Sequence, residues 1–120
     1  MKFPQQISLI MGAVGVAIGA FGAHALGPAL EQYGKVDIWN TGIQYFWVHT
    51  LASLAISFAR PHTPRVACTV IIWLASILLF SGSLFALSLG APSWVGAITP
   101  VGGIGFIIGW LQLLWMREQT

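Results

Sequence analysis

Two histidines are the side chains of this sequence best suited to chemistry. His24 lies in the stretch GAFGAHAL (19–26), at the end of a long apolar run, and His49 sits well inside a second one. Imidazole can donate and accept a proton near neutral pH. Ionisable groups at membrane depth cost about 2.5–3.5 kcal/mol at a helix centre, so they normally face a protein interior and often mark function. Around His49, the residues Thr41, Tyr45, Ser53 and Ser57 recur every four positions, with Gln44 beside them. On a helix this spacing makes one face polar along most of its length. It predicts one outward-opening polar pocket faced by His24, Thr41, Gln44, Tyr45 and His49 and closed below by Ser53 and Ser83. Turned to lipid, each unpaired group of that row would cost roughly 1–3 kcal/mol. The leading reading of the same row is plainer: interhelical hydrogen bonds that register packed helices, each contributing about 0.6 kcal/mol in a membrane.

Other chemistry finds less support. His24 and His49 differ in depth by roughly 10 Å at the helical rise, too far for a shared metal ion, whose ligands must all lie within about 2 Å of it. No HExxH, CxxC or CxxCH pattern occurs, and the glycine runs follow no strand as a phosphate loop would. Neither a metal nor another cofactor is expected. The acidic residues are Glu31, Asp37 and Glu118, all outside the apolar runs, so neither a paired-carboxylate site nor a Ser-His-Asp triad can be assembled around His49. No catalytic residue is assigned. Cys68 stands alone in an apolar run and is expected to be an inert buried thiol.

The elements that position these residues follow from composition. Of 120 residues, 57% are hydrophobic and 7% charged, with a mean hydropathy of +0.82, far above the needs of a single water-soluble core. The net charge of +2 comes from scattered cations, which excludes the clustered basic face of a nucleic-acid binder. A membrane-spanning helix takes about 20 mostly apolar residues, and period-2 alternation is absent, so helices rather than a barrel are predicted. The expected fold is all-α: one domain over 1–120, an integral membrane four-helix antiparallel bundle with spans near 7–26, 40–59, 65–89 and 93–116. Ala23-His24-Ala25 has the form of a signal cleavage site, but Lys2 is the only charge before it, so the first run is expected to remain as a span. With four spans, Lys2, Arg60, Arg65 and Arg117 share a side opposite Lys35, Glu31 and Asp37, which places both termini in the cytoplasm. Trp39 and Trp94 are then expected at the outer interface and Trp115 at the inner one.

Small residues predict where helices meet. Gly15, Gly19 and Ala23, then Gly82, Ala86 and Gly90, then Gly102, Gly105 and Gly109 each share a helix face, the pattern that lets membrane helices approach closely. Gly27-Pro28 is expected to end the first span, with a short interfacial helix over 28–34 that turns Leu30 and Tyr33 to the membrane.

The segments GAFGAHAL (19–26), WNTGIQYFWVH (39–49), FSGSLFAL (80–87) and ITPVGG (98–103) together resemble the domain of unknown function 423 family. That family takes in small bacterial inner-membrane proteins and is similar to the animal transmembrane protein 256. The matching residues are Gly19, Gly22, His24, Trp39, Thr41, Tyr45, His49, Gly82, Ser83, Leu84, Pro100, Gly102 and Gly103, while Phe85 stands where the family often has tyrosine. The resemblance implies a four-helix, multi-pass protein of the bacterial inner membrane and no defined activity. Besides the lipid bilayer, the partners to expect are further copies or a larger membrane complex. The leading function is a structural or complex-forming component. The alternatives are binding or passage of a small solute or proton through the His-containing pocket, which in so small a bundle calls for an oligomer, and ligation of haem or a metal by the histidines.

Overall fold

The computed structural model describes residues 1–116, so the expectations for Arg117, Glu118 and Gln119 fall outside the described residues. Among those described, all regular structure is helical: α1 (Phe3–Phe21), α2 (Gly27–Gln32), α3 (Val36–Ala59), α4 (Pro64–Ser88) and α5 (Thr99–Leu114). A π-helical turn, Gly22–Leu26, joins α1 to α2, and a 3₁₀ turn, Ser93–Ala97, precedes α5.

Local chemistry sets these boundaries. Pro64 and Pro100 occupy first turns, where a missing N–H costs nothing, and Thr63 caps α4 by accepting from the Val66 N–H at 3.3 Å. Gly34 and Gly90 adopt φ of +67° and +100°. The N–H one residue beyond each bonds five residues back, Lys35 to Leu30 at 2.8 Å and Ala91 to Ala86 at 2.9 Å, closing α2 and α4 as such glycines do. Gly27-Pro28 does not stop the first helix as expected. Pro28 has no N–H for the His24 carbonyl, and the chain absorbs this by widening to π geometry and continuing as α2.

Among the described residues, three segments are long and apolar enough to cross a membrane: Phe3–Gln32, Pro64–Ser88 and Ser93–Leu114. The 24-residue α3 has the length, but its polar row keeps it outside that set. α3 and α4 form the central pair; α1 packs on α3 and touches α4, and α5 packs on α4. The result is flat, 55 × 27 × 16 Å, because α1 and α5 flank the pair instead of packing along each other. Phe46, Trp73, Ile77 and Phe106 form the buried core, flanked by Met11 and Ile18 of α1 and Phe80 of α4.

The glycine faces are matched in part. In α5, Gly102 sits against Phe80, Gly105 against Ser76 and Gly109 against Trp73, each so close that a Cβ would overlap its neighbour. In α1, Gly15 meets Phe46 and Trp47, but Gly19 faces open space, and Gly22 makes the next contact, against Trp39. Gly82 is likewise open, and α4 instead buries Ser76, Ser81, Ser83 and Ser88. Their hydroxyls bond carbonyls of a preceding turn or, for Ser81, the Gly42 carbonyl of α3 at 2.7 Å. Three further expectations are corrected. Trp39 is buried against Gly22 and Phe85 rather than interfacial, Leu30 is buried, and Cys68 is exposed. In each case a neighbouring helix, invisible to a single-helix reading, decides which face is covered. Trp94 and Trp115 are exposed near opposite ends.

Candidate functional site

Burial of His49 is where polar chemistry and packing meet. Its ring is 3% exposed, held between α3, α4 and α5. Nδ1 lies 2.9 Å from the Tyr45 carbonyl oxygen, and the Trp110 indole N–H donates to Nε2 at 3.0 Å. An indole N–H can only donate and a carbonyl can only accept. The imidazole is therefore the neutral Nδ1–H tautomer, with its proton on the α3 backbone and its lone pair filled from α5. Phe106 stacks on the ring at 3.6 Å between centroids and 15° between planes, and Trp73 meets it edge-on at 5.5 Å. Tyr45, tilted against Phe80 at 4.5 Å and stacked 6.0 Å from Phe106, extends the cluster toward the surface.

Trp73 ties the same helices from the other side: its indole N–H donates to the Phe106 carbonyl at 3.1 Å, and it packs 4.7 Å from Trp110. Gly109 makes this geometry possible, since any side chain there would occupy the Trp73 indole. Below, Thr69 donates to Gln112 Oε1 at 2.9 Å; above, Ser83 bonds the Phe80 carbonyl and pairs with Thr99. α4 and α5 are thus clamped by polar contacts at three levels.

Of the residues expected to share a pocket, the structure brings Tyr45 and His49 together. Ser53 is buried one turn below His49, and Ser83 is buried but turned to Thr99. Thr41 is exposed and donates to the Asp37 carbonyl at 2.9 Å within its own helix. Gln44 and His24 are exposed, His24 on the π-helical turn. Beside His49, the Thr50 hydroxyl is buried without a hydrogen-bond partner. Among the described residues, a cavity of about 570 Å³ opens at the α3–α4 turn, and another of about 410 Å³ opens between Leu30 and Leu89. Neither is lined by His49. Among the described residues, no three His, Cys, Asp or Glu side chains converge as metal ligands would.

Sequence reasoning found His49 and missed its partners Trp73, Phe106 and Trp110. The available signal was the pair Gly105 and Gly109, which directly precede Phe106 and Trp110. Where α5 comes close enough to α4 to need glycine, large side chains on the neighbouring face reach α3 as well as α4.

Comparison with known proteins agrees with this helical, apolar architecture. Residues 18–103 match the family model described as "Protein of unknown function (DUF423)". The chain is 39% identical over 117 residues to the UPF0382 membrane protein YwdK of Bacillus subtilis, covering 91% of this chain and 94% of that one. It is 43% identical over 102 residues to a UPF0382 membrane protein of Haemophilus influenzae, covering 83% and 81% of the two chains. With the UPF0382 inner membrane protein YgdD of Escherichia coli K12 it shares 36% identity over 118 residues, covering 94% and 87%. No solved structure matches. On sequence and on helical composition alike, the chain belongs to the DUF423 family of membrane proteins.

Proposed function

We propose that this protein is a four-span component of the bacterial inner membrane, with both termini cytoplasmic, that works by packing against a membrane partner rather than by catalysis. The observation that carries this reading is the outward placement of Gln44. Its amide is exposed on a helix flanked by α1 and α4, two helices apolar enough to span. At roughly 12 Å along α3 from Val36, an exposed amide in lipid would forfeit its hydrogen bonds, at about 1–3 kcal/mol. A partner helix that supplies those bonds removes the cost, and amides are common glue between membrane helices. Exposed His24 adds to the demand. α3 lying alongside the apolar helices supports a fourth span. The orientation is supported by Lys2, Arg60 and Arg65 sharing one end, where Gln5 of α1 donates to the Ser57 carbonyl of α3 at 3.2 Å.

A proton path is the weaker reading, since it needs a histidine with a nitrogen free to exchange along a wet route. At His49 both nitrogens are bonded and one ring face is covered by Phe106. Cysteine cross-linking in native membranes tests the proposal, with Cys68→Ser as background. Gln44→Cys should give one discrete adduct, with a second copy or another membrane protein, and Leu78→Cys, on a 65% exposed apolar position, should give none. Absence of an adduct at position 44, or equal adducts at both positions, would refute a specific packing face.

A further inference from the structure

The larger cavity, about 570 Å³, lies within the roughly 300–1,000 Å³ typical of small-ligand sites and has a lining suited to one class of ligand. It is formed by the turn between α3 and α4 and by the end of α5, eleven positions along α3 from His49. Arg60 and Arg65 line it from the two sides of that turn, together with Thr63 and Trp115. Arg65 reaches the Trp115 carbonyl at 3.5 Å, a long contact that, among the described residues, leaves most of its five N–H donors uncommitted. Thr63 accepts from Val66 through its oxygen and keeps its hydroxyl proton free to donate. Among the described residues no carboxylate lines the cavity. Pro61 and Pro64 fix the backbone between the two cations, so their spacing is set by the turn. Trp115 is 67% exposed, as an indole at headgroup depth is.

We propose that this cavity binds a phosphate anion, with the headgroup phosphate of an anionic membrane lipid as its natural source. Guanidinium presents paired N–H donors that match phosphate oxygens bidentately, and basic pockets at the cytoplasmic ends of membrane helices hold anionic headgroups in this way. The phosphate sits between Arg60 and Arg65 with the Thr63 hydroxyl as a third donor, and the glycerol and acyl chains leave past Trp115 into the bilayer. The site stands apart from the packing face at Gln44 and does not rest on it.

The test is lipid retention by the purified full-length protein, read by native mass spectrometry after exchange into equal phosphatidylglycerol and phosphatidylcholine. Wild type should retain phosphatidylglycerol about tenfold or more over phosphatidylcholine, given the attraction of two cations near the surface. Arg60→Gln/Arg65→Gln should abolish the preference, Arg60→Lys/Arg65→Lys should keep part of it, and Lys35→Gln, at the other end, should leave it intact. Inorganic phosphate at matched ionic strength separates the sources. If it displaces the lipid, the cavity holds free phosphate as well; if it does not, the lipid headgroup is the specific ligand. Equal retention of the two lipids by wild type overturns the proposal whether or not the variants fold. So does a preference that survives loss of both arginines.

Discussion

The Trp110 indole donates its N–H to Nε2 of His49 across 61 positions of sequence, joining α5 to α3 even though α4 is the helix that α5 packs along. With Nδ1 committed to the Tyr45 carbonyl, the imidazole acts as a rigid donor–acceptor link. The stacked Phe106 ring fixes its plane. Such a link sets the rotation of α5 about its axis, because turning Trp110 away would strand two polar groups where no water replaces them.

A double-mutant cycle measures that link. His49→Gln can donate to Tyr45 and accept from Trp110 as imidazole does, so unfolding free energy in detergent should change by less than about 1 kcal/mol. His49→Leu and Trp110→Phe should each cost about 1–2 kcal/mol. The pair together should cost less than the sum, since the second change removes a bond already lost. Strict additivity would show that the two side chains are not coupled.

The glycines that touch and those that do not should separate cleanly. Gly109→Leu and Gly102→Leu drive a side chain into Trp73 and Phe80, and overpacking of this kind costs about 1–3 kcal/mol or more. Gly19→Leu and Gly82→Leu enter open space and should leave the folded fraction recovered in detergent near that of wild type. Loss of folded protein from all four alike would contradict the packing described.

Thr50→Val should stabilise. The substitution keeps the shape and removes a buried hydroxyl that has no partner, worth up to about 1 kcal/mol. Ser81→Ala, which removes the hydrogen bond from the hydroxyl to the Gly42 carbonyl across the α3–α4 seam, should destabilise by roughly 0.6 kcal/mol. Denaturation midpoints moving in the same direction for both would undercut the hydrogen-bond assignment.

Much of this was legible from the sequence for reasons specific to membranes. Apolar runs of spanning length, and glycines at Gly102, Gly105 and Gly109 on one face, carry their meaning within a single helix. Burial of His49 was likewise readable from its place in a polar row. What the row could not show is how its members divide between faces. Residues four apart drift around a helix of 3.6 per turn, so Thr41 and Gln44 emerge at the surface while His49, Ser53 and Ser57 turn inward. Trp39 was read from its own helix as interfacial, although its position is set by contact with Gly22. The π-helical turn was signalled by Pro28, whose effect on the His24 carbonyl admits either a stop or a wider turn.

Topology is tested by aqueous cysteine labelling. On a Cys68→Ser background, the proposed orientation predicts that Thr63→Cys reacts only from the cytoplasmic side and Lys35→Cys only from the periplasmic side, since Lys2, Arg60 and Arg65 share one end. Labelling of both positions from one side would remove α3 from the set of spans.

The central claim, that His49 is a neutral registering link rather than a proton carrier, is tested most directly by ¹⁵N NMR of the histidine rings in the folded protein at neutral pH. A proton on Nδ1, and coupling of Nε2 to the Trp110 indole hydrogen, is the predicted result. A proton on Nε2, or a doubly protonated ring, would contradict it.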